Sequence, residues 1–231
     1  MAMKIHGIMK MSLLDFPGYV AATVFLGGCD MRCPFCHNFE LTDYNAPAIW
    51  EEADLFKFLD TRKGLLDGVA FTGGEPLLRK DLPEVIRKIR EMGFKIKLDT
   101  NGNHPDKLIA LVEEGLLDYV AMDIKNSPGK YPLTCGVPDF SMGNVRRSVD
   151  FLLSGKVPYE FRTTVVKNYH TREDMENIGK WINGADKYFL QGFVERDTVP
   201  VEGLSACSEE QMKVFLDIVK PYVKEAGLRG I

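Results

Sequence analysis

The chain has 231 residues and a formal net charge of −4, with 33 acidic and 29 Lys/Arg side chains interleaved along its length. That balance leaves no basic stripe for a nucleic-acid partner, and no apolar run reaches the roughly 20 residues that span a bilayer. Five cysteines are an odd number, and three of them crowd too closely for a disulfide framework. A reducing, cytoplasmic setting is expected, without membrane or nucleic-acid partners and without an N-terminal signal core. The length supports one sizeable core, and no Pro/Gly/Ser-rich linker divides it, so residues 1–231 are expected to form a single domain.

In chain order, residues 3–10 read as an added edge strand and residues 20–26 as the first strand of a series, followed by a cysteine loop over 27–39. Helical patterns over 51–62, 81–92, 106–114, 142–153 and 172–182 then alternate with strand patterns over 68–72, 95–100, 119–124, 159–165 and 187–191, rich in β-branched and aromatic residues. Leu82, Val85, Ile86 and Ile89 recur at three-to-four spacing, which places them on one helix face. Gly93 follows as a helix stop. Residues 208–226 read as a closing amphipathic helix with Ser208 as its N-cap.

Alternation of β and α at this period predicts a parallel sheet with right-handed crossovers and helices outside. About six units are available, fewer than the eight of a closed barrel, so the expected fold is an α/β open partial (β/α)6 barrel. In such folds ligands collect at the strand C-terminal edge. The chemistry-bearing motifs all fall there.

The first motif is Cys29-Asp30-Met31-Arg32-Cys33-Pro34-Phe35-Cys36. Three thiolates at close quarters are one short of the four that an iron–sulfur cube normally takes, which leaves one iron open to a ligand. The competing possibility is a Cys3His zinc site that recruits His37. His37 directly follows Cys36, however, closer than zinc-ligand pairs usually stand. Cys135 and Cys207 have no nearby cysteine partner and are expected to be ordinary semi-buried residues.

Cys-x3-Cys-x2-Cys resembles the signature of the radical S-adenosylmethionine (SAM) enzymes, and further motifs extend the resemblance. They are Asp15-Phe16-Pro17-Gly18, Cys36-His37-Asn38, Thr72-Gly73-Gly74-Glu75-Pro76, Leu98-Asp99-Thr100-Asn101-Gly102 and Met122-Asp123-Ile124-Lys125. Together they make the chain look like a glycyl-radical-enzyme activase, most similar to the type that serves anaerobic ribonucleoside-triphosphate reductase. The resemblance implies a [4Fe-4S] cluster on Cys29, Cys33 and Cys36. It implies SAM held by Phe35, His37, Asn38, Gly73, Gly74, Glu75, Lys125 and Arg162. It further implies a monovalent cation at Asp99, Thr100 and Asp123. Asp15, in a turn expected near the open mouth of the barrel, is the candidate contact for the partner's glycyl loop.

No side chain is expected to act as a catalytic acid or base, since the implied reaction is hydrogen-atom abstraction. The implied partners are a glycyl radical enzyme, with the anaerobic ribonucleotide reductase large subunit first, and an electron donor such as flavodoxin or ferredoxin. Phe193 departs from the pyruvate formate-lyase activase pattern, which has a histidine at about that place. The alternatives are an activase of that pyruvate formate-lyase type, a small-molecule radical SAM enzyme of the 7-carboxy-7-deazaguanine synthase type, and a non-catalytic zinc module. On its own, Gly-Gly-Glu-Pro is an ordinary turn before a helix, and Asp15-Phe16-Pro17-Gly18 an ordinary tight turn.

Overall fold

A computed structural model describes residues 3–231. Among the described residues there are ten strands: β1 (Lys4–Ile5), β2 (Gly7–Ser12), β3 (Ala21–Leu26), β4 (Trp50–Glu51), β5 (Gly68–Gly73), β6 (Lys95–Thr100), β7 (Tyr119–Asp123), β8 (Tyr159–Val165), β9 (Lys187–Gly192) and β10 (Glu225–Arg229). The helices are α1 (Glu52–Asp60), α2 (Leu82–Glu91), α3 (Pro105–Glu113), the short α4 (Tyr131–Cys135), α5 (Gly143–Leu153), α6 (Arg172–Trp181) and α7 (Glu209–Val219). β1 and β4 form a two-residue antiparallel ladder outside the main sheet.

The main sheet has the order β10-β9-β8-β7-β6-β5-β3-β2. Every neighbouring pair from β3 to β10 is parallel, and β2 joins β3 antiparallel. β2 and β10 are its two edges. The open parallel α/β architecture agrees with the expectation, and it carries one more parallel strand than the six anticipated. That extra strand is β10, where the sequence pattern suggested helix. α7 starts on a Ser208–Gln211 capping box and stops at Val219, because Pro221 removes a backbone donor and cannot continue the helix. The chain then returns to pair with β9 from Lys187 to Gln191.

The two faces of the sheet differ in chemistry. Val24, Phe71, Ile96, Leu98, Val120, Met122, Phe161 and Leu190 are fully buried, on the face that receives the apolar stripes of the helices. In α2 that stripe is Leu82, Val85, Ile86 and Ile89, all buried, and Gly93 with φ +96° ends it. Strand alternation sends Thr23, Ala70, Lys97, Asp99, Asp123, Glu160, Arg162 and Gln191 to the other, inner face. Lys97 and Glu160 are 2% and 1% exposed there, so the inner face is a buried polar layer rather than a second apolar core.

Phe16 plugs the N-terminal end of this layer, 4.9 Å from the Tyr19 ring and 6.3 Å from Tyr119. A side chain at Gly68 would collide with the Phe16 ring at 2.9 Å. The Asp15-Phe16-Pro17-Gly18 turn therefore has a packing role at the end of the sheet remote from the cysteines.

Candidate active site

The cysteine loop leaves β3 at its C-terminal end. Gly28 N–H donates to Leu41 O, Cys36 N–H to Cys33 O, and Arg32 N–H to Cys135 O. The Arg32 guanidinium closes the loop on itself by donating to Cys29 O and Met31 O at 2.7 and 2.8 Å. Cys29, Cys33 and Cys36 line one cavity together with Phe35, Gly73, Gly74, Asp99, Asp123, Lys125 and Arg162. Burial pushes the Cys29 thiol up to about 11 and the Cys33 thiol up to about 12, with the Lys125 ammonium pulling the other way.

The paired glycines serve a close approach, but of chain to chain. A Cβ on Gly73 would lie 2.4 Å from Leu26 O, and one on Gly74 would lie 2.2 Å from Gly28 O. Backbone bonds Gly74 N to Leu26 O and Glu75 N to Gly28 O, both 2.8 Å, fasten the turn after β5 beneath the cysteine loop. Asn38 adds Nδ2 to Gly73 O at 3.4 Å.

Glu75, expected to face the ligand, points away from the cavity and does not line it. Its fully buried carboxylate accepts from Leu77 N at 3.0 Å, Thr100 Oγ1 at 2.9 Å and Asn101 N at 2.7 Å. Burial pushes this carboxyl up to about 7, against the pull of the Asn101 N–H. Thr100, an expected cation ligand, spends its hydroxyl on this same carboxylate and accepts from Gly102 N.

Asp99 and Asp123, the other two expected cation ligands, do come together across β6 and β7, but side-chain cations already meet them. Lys97 bonds Asp99, Lys125 Nζ reaches Asp123 at 2.9 Å, and Arg162 lies between them at 3.3 and 3.0 Å. Burial works against the Asp123 carboxylate, yet Lys125 and Arg162 outweigh it and hold the pKa down to about 2. Lys125 and Arg162 line the cavity beside Asp99 and Asp123, with Lys97 buried behind Asp99, so both carboxylates already have partners and the two lining cations are the groups that could meet an incoming carboxylate.

His37 lines this same cavity and is also engaged at its rim. Its ring stacks on Phe193 and its Nε2 donates to Val194 O at 2.7 Å, so it ties the cysteine loop to the chain that follows β9. Phe35 is 4% exposed and packs against Tyr169 and His170 while lining the cavity. Asp15 accepts from Thr23 Oγ1 at 2.6 Å, midway along β3, and does not line the cavity. Cys135 is buried beside Arg32, and Cys207 is partly exposed ahead of α7.

The sequence pattern did not single out Asp30, on the cysteine loop, or Asn103 and His104, which the fold brings to it. The only signal was the run of side-chain amides after β6.

An iron–sulfur cube fits this donor set. Among the described residues, no group of three or more His, Cys, Asp or Glu side chains is placed to close on a single ion. A zinc ion needs that convergence at about 2.3 Å per thiolate, whereas a cube offers separate iron atoms to separate thiolates.

A parallel α/β sheet, open at its edges, with three thiols on one loop at the strand C-terminal edge and a floor of paired charges beside them, defines an enzyme that holds a cofactor at that edge. The model of the Radical SAM superfamily matches residues 23–182, and the chain belongs to that superfamily. Membership implies a [4Fe-4S] cluster and SAM.

A Methanocaldococcus jannaschii protein that carries the name glycyl-radical enzyme activating enzyme is 33% identical over 233 residues, covering 98% of this chain and 96% of that one. The pyruvate formate-lyase-activating enzyme of Clostridium pasteurianum is 32% identical over 128 residues, and the match spans about half of each chain, 53% of this one and 52% of that one. Among solved structures, Streptococcus suis SuiB bound to precursor peptide SuiA shares the fold with a TM-score of 0.69 at 14% identity, over 90% of this chain and 48% of that one. No helix among the described residues is long and apolar enough to cross a membrane.

Proposed function

We propose that this enzyme is an activase of a glycyl radical enzyme, acting as one domain over residues 1–231 in the cytoplasm. The near full-length 33% match to a protein named for that activity carries the reading. Cys29, Cys33 and Cys36 would hold the cluster, and Lys125 and Arg162 would receive the SAM carboxylate over the floor they form with Asp99 and Asp123. Phe35, His37, Asn38, Gly73 and Gly74 would wall the nucleoside side. Asp15, bonded to Thr23 and outside the cavity, does not lie at the mouth where a partner-loop contact was expected, and it takes no part in this proposal.

When bound, the cluster and SAM supply the reductive cleavage of SAM and the 5′-deoxyadenosyl radical that removes a hydrogen atom from a partner's backbone glycine. The chain's own part is to orient the ligand and keep water out, through the buried polar layer and the loop over it. The partner we favour is anaerobic ribonucleoside-triphosphate reductase, with flavodoxin or ferredoxin as electron donor. Phe193, in place of the histidine of the pyruvate formate-lyase type, favours that choice. The half-length match to the Clostridium enzyme supports the second reading, a pyruvate formate-lyase activase.

The test is an anaerobic EPR spectrum of reconstituted, reduced protein mixed with SAM and the reductase large subunit. A glycyl-radical doublet that disappears with Cys33→Ala and persists with Cys207→Ala is the expected result. SAM cleaved without a doublet would move the proposal to the pyruvate formate-lyase partner or to a small molecule.

A further inference from the structure

Asp30 directly follows the first cysteine of the loop, and one stretch of chain after β6 grips its carboxylate from three sides. Asn101 Nδ2 donates to Oδ1 at 2.8 Å, Asn103 Nδ2 donates to Oδ2 at 2.7 Å, and His104 Nε2 stands 3.0 Å from Oδ2. Asn101 is itself held on every side. It is 6% exposed, its backbone N–H donates to Glu75 Oε2 at 2.7 Å, and its Oδ1 accepts from Asn103 N at 2.9 Å. With the oxygen and one amide proton committed, the NH2 group has a second proton to give. Cys29 Sγ is the acceptor that faces it, 4.0 Å from Nδ2. The same sulfur accepts from Met31 N at 3.4 Å.

A donor aimed at a ligating sulfur stabilises negative charge on it. The stabilisation is larger in the reduced cluster, which holds one more electron, and hydrogen bonds to the sulfurs are among the factors that set a cluster's potential. We propose that Asn101 is a positioning residue for the redox level of this site. Asp30 fixes the amide so that its second N–H reaches the Cys29 thiolate and makes the cluster easier to reduce. The inference rests on Cys29 being an iron ligand, as argued above. Asn103 is the internal control, because it grips the same carboxylate and has no contact with sulfur.

The experiment reconstitutes wild type, Asn101→Leu and Asn103→Leu anaerobically with iron and sulfide. Each is titrated without SAM against a one-electron reductant, following the EPR signal of the reduced cluster. For Asn101→Leu the ratio of reduced to oxidised cluster at a fixed potential is expected to fall about fivefold, a midpoint about 40 mV lower at 59 mV per tenfold. Asn103→Leu keeps the wild-type midpoint, although thermal unfolding of the metal-free chain shows both variants destabilised. Should Asn101→Leu fail to assemble a cluster, Asn101→Ser, whose hydroxyl is too short to reach the sulfur, carries the same expected shift. An unchanged midpoint in the Asn101 variant overturns the proposal, and so does an equal shift in Asn103→Leu, which would mean only that the loop had loosened. Wild type that assembles no cluster overturns this inference and the proposed function together. A wild-type cluster with no shift in Asn101→Leu overturns this one alone.

Discussion

The imidazole of His37 lies on the ring of Phe193, with centroids 5.5 Å apart and 11° between the planes. Its Nε2 reaches Val194 O at 2.7 Å, and Thr198 Oγ1 donates back to His37 O at 2.9 Å. The residue after the last cysteine of the loop thus staples the chain beyond β9 over the cavity rim. His37→Ala removes the stack and the donor to Val194 O while leaving the thiols in place. Amide hydrogen exchange over residues 193–199 should quicken, with exchange in β8 and β9 unchanged. Unaltered exchange in that segment would mean that packing elsewhere holds it and the staple does not.

Glu75 is the second tie. Its carboxylate joins the turn after β5 to the end of β6 through Thr100 Oγ1 and Asn101 N, and to its own 3-10 turn through Leu77 N. Glu75→Ala leaves these three buried donors without an acceptor and should cost about 2–4 kcal/mol. Glu75→Gln, which keeps an acceptor oxygen, should cost less. Chemical denaturation of the metal-free protein checks this, and a loss below about 1 kcal/mol for the alanine variant would contradict the burial argument.

How far the sequence foretold this arrangement varies with the physics involved. Parallel strands and the α2 stripe were legible because burial on one or two faces imposes a periodicity. The shared cavity of the three cysteines was legible because their spacing is local. β10 was not, since Glu225-Ala226-Gly227-Leu228-Arg229 has weak strand propensity and gains its conformation from pairing with β9. Pro221 was the missed signal. The motif after β5 was placed correctly at the cavity edge, but Glu75 turned inward, because at short range nothing in Gly-Gly-Glu-Pro tells a ligand-facing carboxylate from one that meets a neighbouring strand end. The same limit explains why Asp99 and Asp123 read as cation ligands. Their counter-charges, Lys97 and Arg162, come from strand positions whose facing is set only by the register.

Those counter-charges predict a pH dependence. Burial alone would raise the Asp123 pKa, but Lys125 and Arg162 hold it near 2, below the unfolded carboxyl value. A carboxyl depressed in the folded state contributes stability that is present above its unfolded pKa and lost as pH falls through the folded one. The loss for Asp123 is about 2 kcal/mol. Metal-free protein should therefore lose stability progressively between about pH 4 and pH 2. Arg162→Leu, which removes one of the two cations, should move the acid unfolding midpoint to higher pH. A wild-type stability that stays level from about pH 4 to pH 2, followed by circular dichroism, would sink the argument.

The last strand supplies the remaining test. Glu160 is 1% exposed on the inner face, two residues before Arg162 on β8. It accepts from Arg229 at 2.7 and 2.8 Å and from the Tyr119 hydroxyl at 3.0 Å. Arg229 is held in turn by the Phe189 ring, its guanidinium carbon 3.6 Å from the centroid. Arg229→Ala removes the two charge-assisted bonds to a buried carboxylate from an arginine that is itself 34% exposed, a loss of about 1.5–3 kcal/mol. The cost comes mainly from the stranded charge, so neutralising it should recover much of the loss. In a double-mutant cycle, Glu160→Gln combined with Arg229→Ala is expected to be more stable than Arg229→Ala alone. If the double variant is instead less stable than Arg229→Ala, β10 is held by its backbone ladder and the cation–π contact, and the Glu160 charge is not what anchors it.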